Sequence, residues 1–270
     1  MERLQVGKNQ VNVRIQGQGE PVLLLHGVPD SSEVWEKVMD SLSDTHRCIA
    51  PDLPGFGQTK ADKRFGYSLD SLADFVDQLL VAAKISGKVG LVIHDIGGIV
   101  GLAFATKYPD KVSSLTIMGT TFFSDHKWHA LASTWRKPIF GDLAMHLMRY
   151  KQFSSAMQKV APILTEEQIR SNYKALTFSN RRLILKFYRT LNPSIFAGWE
   201  ERMLLITRQI PTQVIWGEND SFLPVSLSSR FGTTNVNILQ GVGHWPMLEQ
   251  PLEVAKLVKK ILEKNLSNSE

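Results

Sequence analysis

The sequence predicts an α/β protein with a doubly wound, mostly parallel sheet and a helical segment inserted between two of its strands. Three observations support this fold class. Short apolar runs of strand length recur along the chain, helical runs lie between them, and one long stretch contains no strand-like run. The 270 residues are 43% hydrophobic and 21% charged, which is ordinary for a soluble globular protein.

Six apolar runs are predicted to be buried strands. They are apolar on both faces rather than alternating, as expected for parallel strands that are covered on both sides. The alternating pattern of the first 17 residues indicates a further strand at the N-terminus. The six runs lie at 21–27, 46–52, 90–95, 113–119, 211–217 and 236–241.

Helices are predicted between these strands, at 70–84, 97–107 and 251–264. The first begins after Ser68 and has acidic residues in its opening turn, which is typical of a helix start. Strands that alternate with helices favour a doubly wound parallel sheet. The single cysteine, Cys48, falls in a predicted strand and is expected to be a small core residue rather than a nucleophile.

Residues 121–208 interrupt the alternation. This stretch is rich in tryptophan, methionine and basic residues, and its apolar residues follow a helical period. We predict that residues 121–208 form a helical cap and that residues 1–120 and 209–270 form the core domain. Ligands of open α/β sheets bind beyond the carboxyl ends of the strands, so this cap would roof the site.

The cap is also the basic part of the chain. It carries 14 lysine and arginine residues against 6 acidic ones, whereas the remainder carries 17 against 20. Two interpretations stay open from the sequence. The basic residues either attract an anionic ligand or form a solvated helix face.

Several classes of function and location are not expected. No stretch approaches the roughly 20 apolar residues of a membrane span, and the N-terminus has no apolar run of the signal-peptide type. Basic residues are not interleaved with aromatic ones in a repeated pattern. We therefore predict a cytoplasmic protein that has no nucleic-acid or membrane partner and uses no cofactor or metal. The oligomeric state is left open.

The first candidate for chemistry is Asp95 in the stretch "VIHDIGG", where a predicted strand meets a predicted helix. A sharp strand–nucleophile–helix turn needs small residues around its tip. Gly97 and Gly98 meet this need, but Ile93 is bulkier than such a turn favours. A helix-capping aspartate would explain this stretch on its own.

Two further strand ends carry polar residues. Asp220 follows one strand in "WGEND", and His244 follows the last strand in "GVGHWP". The order nucleophile, acid, histidine is that of a hydrolase triad. Glu218 is a second candidate for the acid in the same loop, and Asp52 in the "DLPGFG" turn is expected to be structural.

The chain as a whole resembles the α/β-hydrolase superfamily over nearly its full length. The resemblance lies in "LLLHGVPDSSEVW", "APDLPGFGQT", "VIHDIGG", "WGENDSFLP" and "GVGHWPMLEQP". An aspartate at the turn is similar to the branch of epoxide hydrolases and haloalkane dehalogenases, whereas other members have serine or cysteine.

This resemblance implies roles for five residues. Asp95 would be the nucleophile, Asp220 the acid and His244 the base. The backbone N–H groups of Val28 and Ile96 would form the oxyanion hole. Some members of the branch place the acid after the strand that follows the nucleophile helix, but residues 118–120 here contain no acid, which favours Asp220.

The nature of the nucleophile restricts the reaction. A carboxylate that attacks a saturated carbon leaves an ordinary alkyl ester, whereas attack at an acyl carbon would leave an anhydride. A water activated by His244 would then hydrolyse the ester. The expected partners are therefore a small hydrophobic substrate and water.

The leaving group decides between two enzymes, and epoxide hydrolase is the first prediction. The segment at 187–190 is similar to a cap motif whose tyrosine, here Tyr188, helps to open the epoxide ring. Such enzymes have a second proton donor early in the cap. The candidates for this second donor are Tyr150, His126, His129 and His146.

Haloalkane dehalogenase is the alternative. Val28 and Ile96 occupy two positions where dehalogenases usually have halide-binding donors, which argues against this activity. Trp128 or Trp135 in the cap would have to supply such a donor. A further alternative from another class is a catalytically silent protein that binds a small ligand on the hydrolase scaffold.

Overall fold

The computed structural model describes residues 1–266, and an eight-stranded sheet runs through the centre of the molecule. The strands are β1 (Glu2–Val6), β2 (Asn9–Gln16), β3 (Glu20–Leu25), β4 (His46–Pro51), β5 (Val89–His94), β6 (Val112–Met118), β7 (Thr212–Gly217) and β8 (Val236–Leu239). Their spatial order is β1-β2-β4-β3-β5-β6-β7-β8, and each neighbouring pair in this order from β4 onward is parallel.

All six predicted apolar strands are confirmed as β3 to β8. The N-terminal stretch differs from its prediction because it forms two strands rather than one. β1 and β2 pair as an antiparallel hairpin, with Val6 opposite Asn9. The alternating pattern continues across the short turn between them, so it did not reveal the break.

Eleven α-helices accompany the sheet within residues 1–266. They are α1 (Glu36–Leu42), α2 (Leu69–Ala82), α3 (Asp95–Lys107), α4 (Ala130–Arg136), α5 (Phe140–Leu147), α6 (Tyr150–Val160), α7 (Glu166–Ala175), α8 (Phe178–Thr190), α9 (Trp199–Gln209), α10 (Pro246–Glu249) and α11 (Pro251–Leu266). The three predicted helices are confirmed as α2, α3 and α11. α2 packs against α3, and α1 packs against α11, so the sheet is covered on both faces as predicted.

The chain between β6 and β7 is helical throughout its regular structure. α4, α5 and α8 pack together, and α6 packs on α7. α9 begins within residues 121–208 and ends at Gln209, and it packs against α3 beside the sheet. The division into core and cap at these boundaries stays a prediction.

Two further features bear on the sequence-based expectations. Cys48 is fully buried in β4, and burial raises the pKa of its thiol to about 12, in keeping with a core residue. Within residues 1–266, no helix has both the length and the apolar character that crossing a membrane requires.

Candidate active site

Asp95 occupies a sharp turn between β5 and α3. Its φ of +48° lies in the left-handed region, which residues other than glycine rarely adopt. The hydroxyl of Thr120 donates to the Asp95 carbonyl at 2.6 Å and holds the turn from the neighbouring strand end. A strained non-glycine residue at this position is what a nucleophile turn requires.

The residues around the turn are small where the backbone needs room. A Cβ on Gly97 would lie 2.4 Å from the carbonyl oxygen of His26, so α3 approaches the end of β3 only because this residue is glycine. Ile93 is bulky for its position, and a second glycine makes room for it. A Cβ on Gly101 would lie 2.4 Å from Cγ2 of Ile93, so the missing side chain at position 101 provides the space.

The Asp95 carboxylate faces backbone donors. Oδ2 accepts the N–H of Val28 at 2.8 Å, and the N–H of Ile96 also bonds the carboxylate. Burial raises the pKa of Asp95, whereas His244 and these two N–H groups oppose the rise because they stabilise the charged form. Oδ1 is not the oxygen that accepts the Val28 N–H, and Asp95 lines the cavity described below.

Asp220 and His244 form a buried pair. Nδ1 of His244 donates to Oδ2 of Asp220 at 2.8 Å, while Oδ1 of Asp220 accepts the N–H groups of Phe222 and Leu223 at 2.8 and 2.9 Å. Burial lowers the pKa of His244, but the negative charge and hydrogen bond of Asp220 outweigh it and raise the pKa overall. With Nδ1 carrying the hydrogen, Nε2 is the basic nitrogen.

The other two acids considered from the sequence lie elsewhere. Glu218 is exposed and accepts the N–H of Gly241 at 3.0 Å. Asp52 is buried and accepts from the Asn12 side chain and the Ser32 N–H at 2.9 and 2.8 Å. Neither lines the cavity described below.

Two buried residues that the sequence analysis missed hold the His244 loop. Nε2 of His94 donates to the His244 carbonyl, with 2.7 Å between the atoms. Nε1 of Trp245 donates to Oδ2 of Asp30 at 2.9 Å. Burial, the largest effect, raises the pKa of Asp30 to about 7. The only sequence signal was position, since Asp30 closes the "HGVPD" loop and His94 precedes Asp95.

A cavity of about 210 Å³ lies between these loops and the cap. Asp95 and His244 lie in its wall, and most of its remaining lining is apolar. The apolar residues from the cap include Met145, Met148, Phe153, Met157, Leu176 and Ile184. Among residues 1–266, no group of three or more histidine, cysteine or acidic side chains is placed to hold a metal ion.

The cap candidates from the sequence separate into two groups. Tyr188, Trp128, Trp135, His126 and His129 line the cavity. Tyr150 and His146 do not. The Tyr150 hydroxyl bonds the Glu166 carboxylate on the outer side of α6, and His146 lies in a groove on the outer surface of α5. The structure therefore does not bring these two residues to Asp95.

Three cavity-lining side chains of the cap carry a hydrogen that they can donate. Burial raises the pKa of Tyr188 well above its ordinary 10, and the nearby Asp95 adds to the rise, so the phenol stays protonated. Nε1 of Trp128 is buried without a hydrogen-bond partner among the described residues. Nδ1 of His129 accepts the Ala132 N–H at 3.4 Å, which leaves the hydrogen on Nε2.

The basic side chains of the cap do not face the cavity. No lysine or arginine lines the cavity. Arg136 donates to the carbonyls of Tyr188 and Leu191, and Arg181 donates to those of Met145, Met148 and Leu176. Of the two interpretations of the basic cap, capture of an anionic ligand in this cavity is therefore not supported.

The chain is similar in sequence to several known proteins. Residues 20–150 match a family model described as the alpha/beta hydrolase fold. An uncharacterized protein of Mycobacterium tuberculosis is 30% identical over 273 residues, covering 93% of this chain and 77% of that protein. A cis-3-alkyl-4-alkyloxetan-2-one decarboxylase of Shewanella oneidensis is 35% identical over 117 residues. That match covers 43% of this chain and little more than a third, 37%, of the decarboxylase.

Solved structures are similar over nearly the whole chain. A meta-cleavage product hydrolase from Pseudomonas fluorescens superposes with a TM-score of 0.82 at 23% identity, covering 98% of each chain. An epoxide hydrolase from Vigna radiata superposes with a TM-score of 0.79 at 21% identity, covering 97% of each chain. At these identities the likeness establishes the fold and leaves the reaction to be argued from the site.

Proposed function

The chain belongs to the α/β-hydrolase superfamily, and on that premise we propose that it hydrolyses a small apolar epoxide to a vicinal diol through a covalent ester of Asp95. The observation that carries the proposal is a carboxylate at the strained turn, with Oδ2 on the Val28 N–H, that shares a cavity with His244, the partner of Asp220. A carboxylate there favours displacement at saturated carbon.

In the first step, Oδ1 of Asp95 attacks a ring carbon of the epoxide. The new carbon–oxygen bond forms as the ring carbon–oxygen bond breaks, and the released alkoxide takes the phenolic proton of Tyr188. A protonated phenol suits this role because burial and Asp95 keep its pKa high until an alkoxide, a much stronger base, develops beside it. His129, with its hydrogen on Nε2, is the second donor in this scheme.

In the second step, Nε2 of His244 takes a proton from water, and the resulting hydroxide adds to Cγ of Asp95. Negative charge develops on Oδ2, which already accepts the Val28 N–H, and the Ile96 N–H also bonds this carboxylate. When the bond between Cγ and Oδ1 breaks, Oδ1 leaves with the alkyl group and takes the proton of the added hydroxyl, which completes the diol and restores the Asp95 carboxylate. The proton held by His244 returns to the Tyr188 phenolate, directly or through water, and the oxygen of the water remains on Asp95.

A second reaction, hydrolysis of a carbon–halogen bond by the same ester chemistry, is favoured by one observation. Nε1 of Trp128 lines the cavity and has no partner among the described residues, and such a donor suits a departing halide ion. Epoxide opening remains the first proposal because the core loops supply apolar Val28 and Ile96 side chains where a second halide donor would be expected.

A single-turnover experiment in heavy-oxygen water tests the ester. With enzyme in excess over a small alkyl epoxide, we expect the label in the peptide that contains Asp95 and none in the diol from the first turnover. Label in the first diol would refute the covalent route. Parallel assays of diol and halide release from matched epoxide and bromoalkane panels distinguish the two reactions. Activity absent from both, together with a ligand-induced rise in melting temperature, would instead indicate a binding protein.

A further inference from the structure

Large apolar side chains are exposed together on the outer surface of the cap. Ile139, Phe140, Leu143, Leu147 and Phe178 are exposed by 78%, 67%, 53%, 56% and 71%, and we call them the α5 patch. Phe140, Leu143 and Leu147 follow one another at helical spacing on one face of α5. Ile139, Leu143 and Phe178 line a single groove, so the patch is continuous from α5 to α8. Such a patch marks an interaction surface.

The charges around the α5 patch are mostly positive. The guanidinium of Arg182 lies 5.8 Å from the centre of the Phe178 ring. An adjoining groove is lined by Phe178 and Arg182 together with Lys63, Lys186 and Arg189. Asp142 is the acidic residue in these grooves, and its carboxylate pairs with Arg189 at 2.7 Å. The patch therefore offers apolar side chains beside uncompensated positive charge.

The α5 patch also lies next to the active-site cavity. Met145, on the inner side of α5, lines both the cavity and the groove of the patch. One helix therefore separates the surface from the space that receives the substrate. The cavity wall is apolar and carries no lysine or arginine, so the ligand it fits is an uncharged apolar molecule, whatever reaction follows. Molecules of that kind concentrate in lipid bilayers.

We propose that the α5 patch docks the protein on the surface of an anionic lipid bilayer. Its aromatic and aliphatic side chains insert at the boundary between headgroups and acyl chains, and the neighbouring basic side chains bind the anionic headgroups. A second copy of this chain fits less well, since two such surfaces would bring like charges together. The expectation of no membrane partner rested on the lack of a spanning segment, and a peripheral contact needs none.

Sedimentation with lipid vesicles tests the docking. We expect the whole protein to bind vesicles that contain about one third phosphatidylglycerol in phosphatidylcholine, and to bind pure phosphatidylcholine at least about tenfold more weakly. Binding should fall as salt shortens the range of the charge interaction. The double variant Phe140→Ser, Phe178→Ser should weaken binding about tenfold or more, because it removes two inserted rings.

Leu252→Ser is the matched control, since Leu252 is 75% exposed at the start of α11 outside the α5 patch. It should bind vesicles like the unchanged protein. Circular dichroism and melting temperature verify that each variant folds, and Leu143→Ser with Leu147→Ser replaces the double variant if it does not. Equal binding to neutral and anionic vesicles, or undiminished binding by the patch variants, would overturn the proposal. So would a dimer in solution that the patch variants dissociate, because a second copy would then be the occupant.

Discussion

The two sides of the active-site cavity are held by different kinds of contact. On the sheet side, Asp95 and Asp220 each have a carboxylate oxygen fixed by backbone N–H groups, and Asp220 in turn fixes His244. On the cap side, the Tyr188 side chain is held by neighbouring rings, and its backbone carbonyl accepts from Arg136. Its ring lies 5.4 Å from that of Trp128 and 5.2 Å from that of Trp135, both edge to face.

This difference separates two tasks. Atoms fixed by backbone donors keep one geometry through the reaction and suit the bond-making steps, because preorganised donors need no rearrangement. Side chains held by aromatic and apolar packing can be exchanged without disturbing those atoms. We therefore expect changes on the sheet side to abolish the chemistry and changes on the cap side to slow one step or alter selectivity.

The largest effect should come from Asp95→Asn. The amide cannot form the ester, so turnover should fall by at least about 10⁴-fold, as for other nucleophile replacements. His244→Gln keeps the nucleophile and loses the base, so it should accumulate the ester, seen by mass spectrometry as an Asp95 peptide heavier by one substrate. Normal turnover by either variant would break the assignment of the chemistry to the sheet side.

A smaller effect is expected from Tyr188→Phe on the cap side. Loss of the phenolic proton should slow epoxide opening by about 10² to 10⁴-fold, while hydrolysis of a preformed Asp95 ester proceeds normally. Rapid-mixing kinetics separate the two steps. Trp135→Phe is the matched control because it keeps an aromatic ring beside Tyr188 and should change the rate little. If Tyr188→Phe slowed both steps equally, the cap would not be confined to the first one.

The pH dependence of ester hydrolysis should follow the titration of His244 on the sheet side and show none of Tyr188 on the cap side. Because Asp220 raises the pKa of His244 above 6.5, the neutral base is lost as pH falls through that higher value. Below it, kcat for ester hydrolysis should fall about tenfold per pH unit. Tyr188 should cause no decline up to about pH 9, since its pKa lies well above 10. A profile flat from pH 5 to 9 would contradict the role of His244.

The sequence predicted the sheet side in detail because its constraints are local. Buried parallel strands leave continuous apolar runs, and polar residues directly after them must lie at one edge of the sheet. This is how Asp95, Asp220 and His244 became candidates for the site. The sequence did not reveal that Gly101 on α3 makes room for the bulky Ile93 on β5, since no local pattern relates those two positions.

The sequence predicted that the cap is helical but not which of its residues line the cavity. A helical period gives one buried face, yet it does not say whether that face meets the cavity, another helix or the sheet. Tyr150 and His129 were both candidates for the second proton donor, and only the structure shows that His129 lines the cavity whereas Tyr150 does not. The basic residues were similarly ambiguous, because Arg136 and Arg181 reach back to backbone carbonyls that no sequence pattern identifies.

The smallest effect on activity, and a clear one on stability, should come from Asp30→Asn. Burial raises the pKa of Asp30 from 3.8 to about 7, and Oδ1 has no partner among the described residues, so the ionised form is unfavourable in the fold. The folded protein therefore holds a proton that the unfolded chain releases above pH 4. Stability falls as pH rises from 4 to 7, by up to roughly 4 kcal/mol at pH 8 for this group.

Asparagine keeps an acceptor for Nε1 of Trp245 and removes the ionisation. We therefore expect Asp30→Asn to unfold at a higher urea concentration than the unchanged protein at pH 8 and at nearly the same concentration at pH 4, with kcat changed less than about threefold. Asp95 and His244 also titrate, so the informative quantity is the difference between the two proteins at each pH. An equal difference at both pH values would mean that Asp30 is ionised in the fold, and that the sheet side carries no unfavourable buried carboxyl beside Trp245.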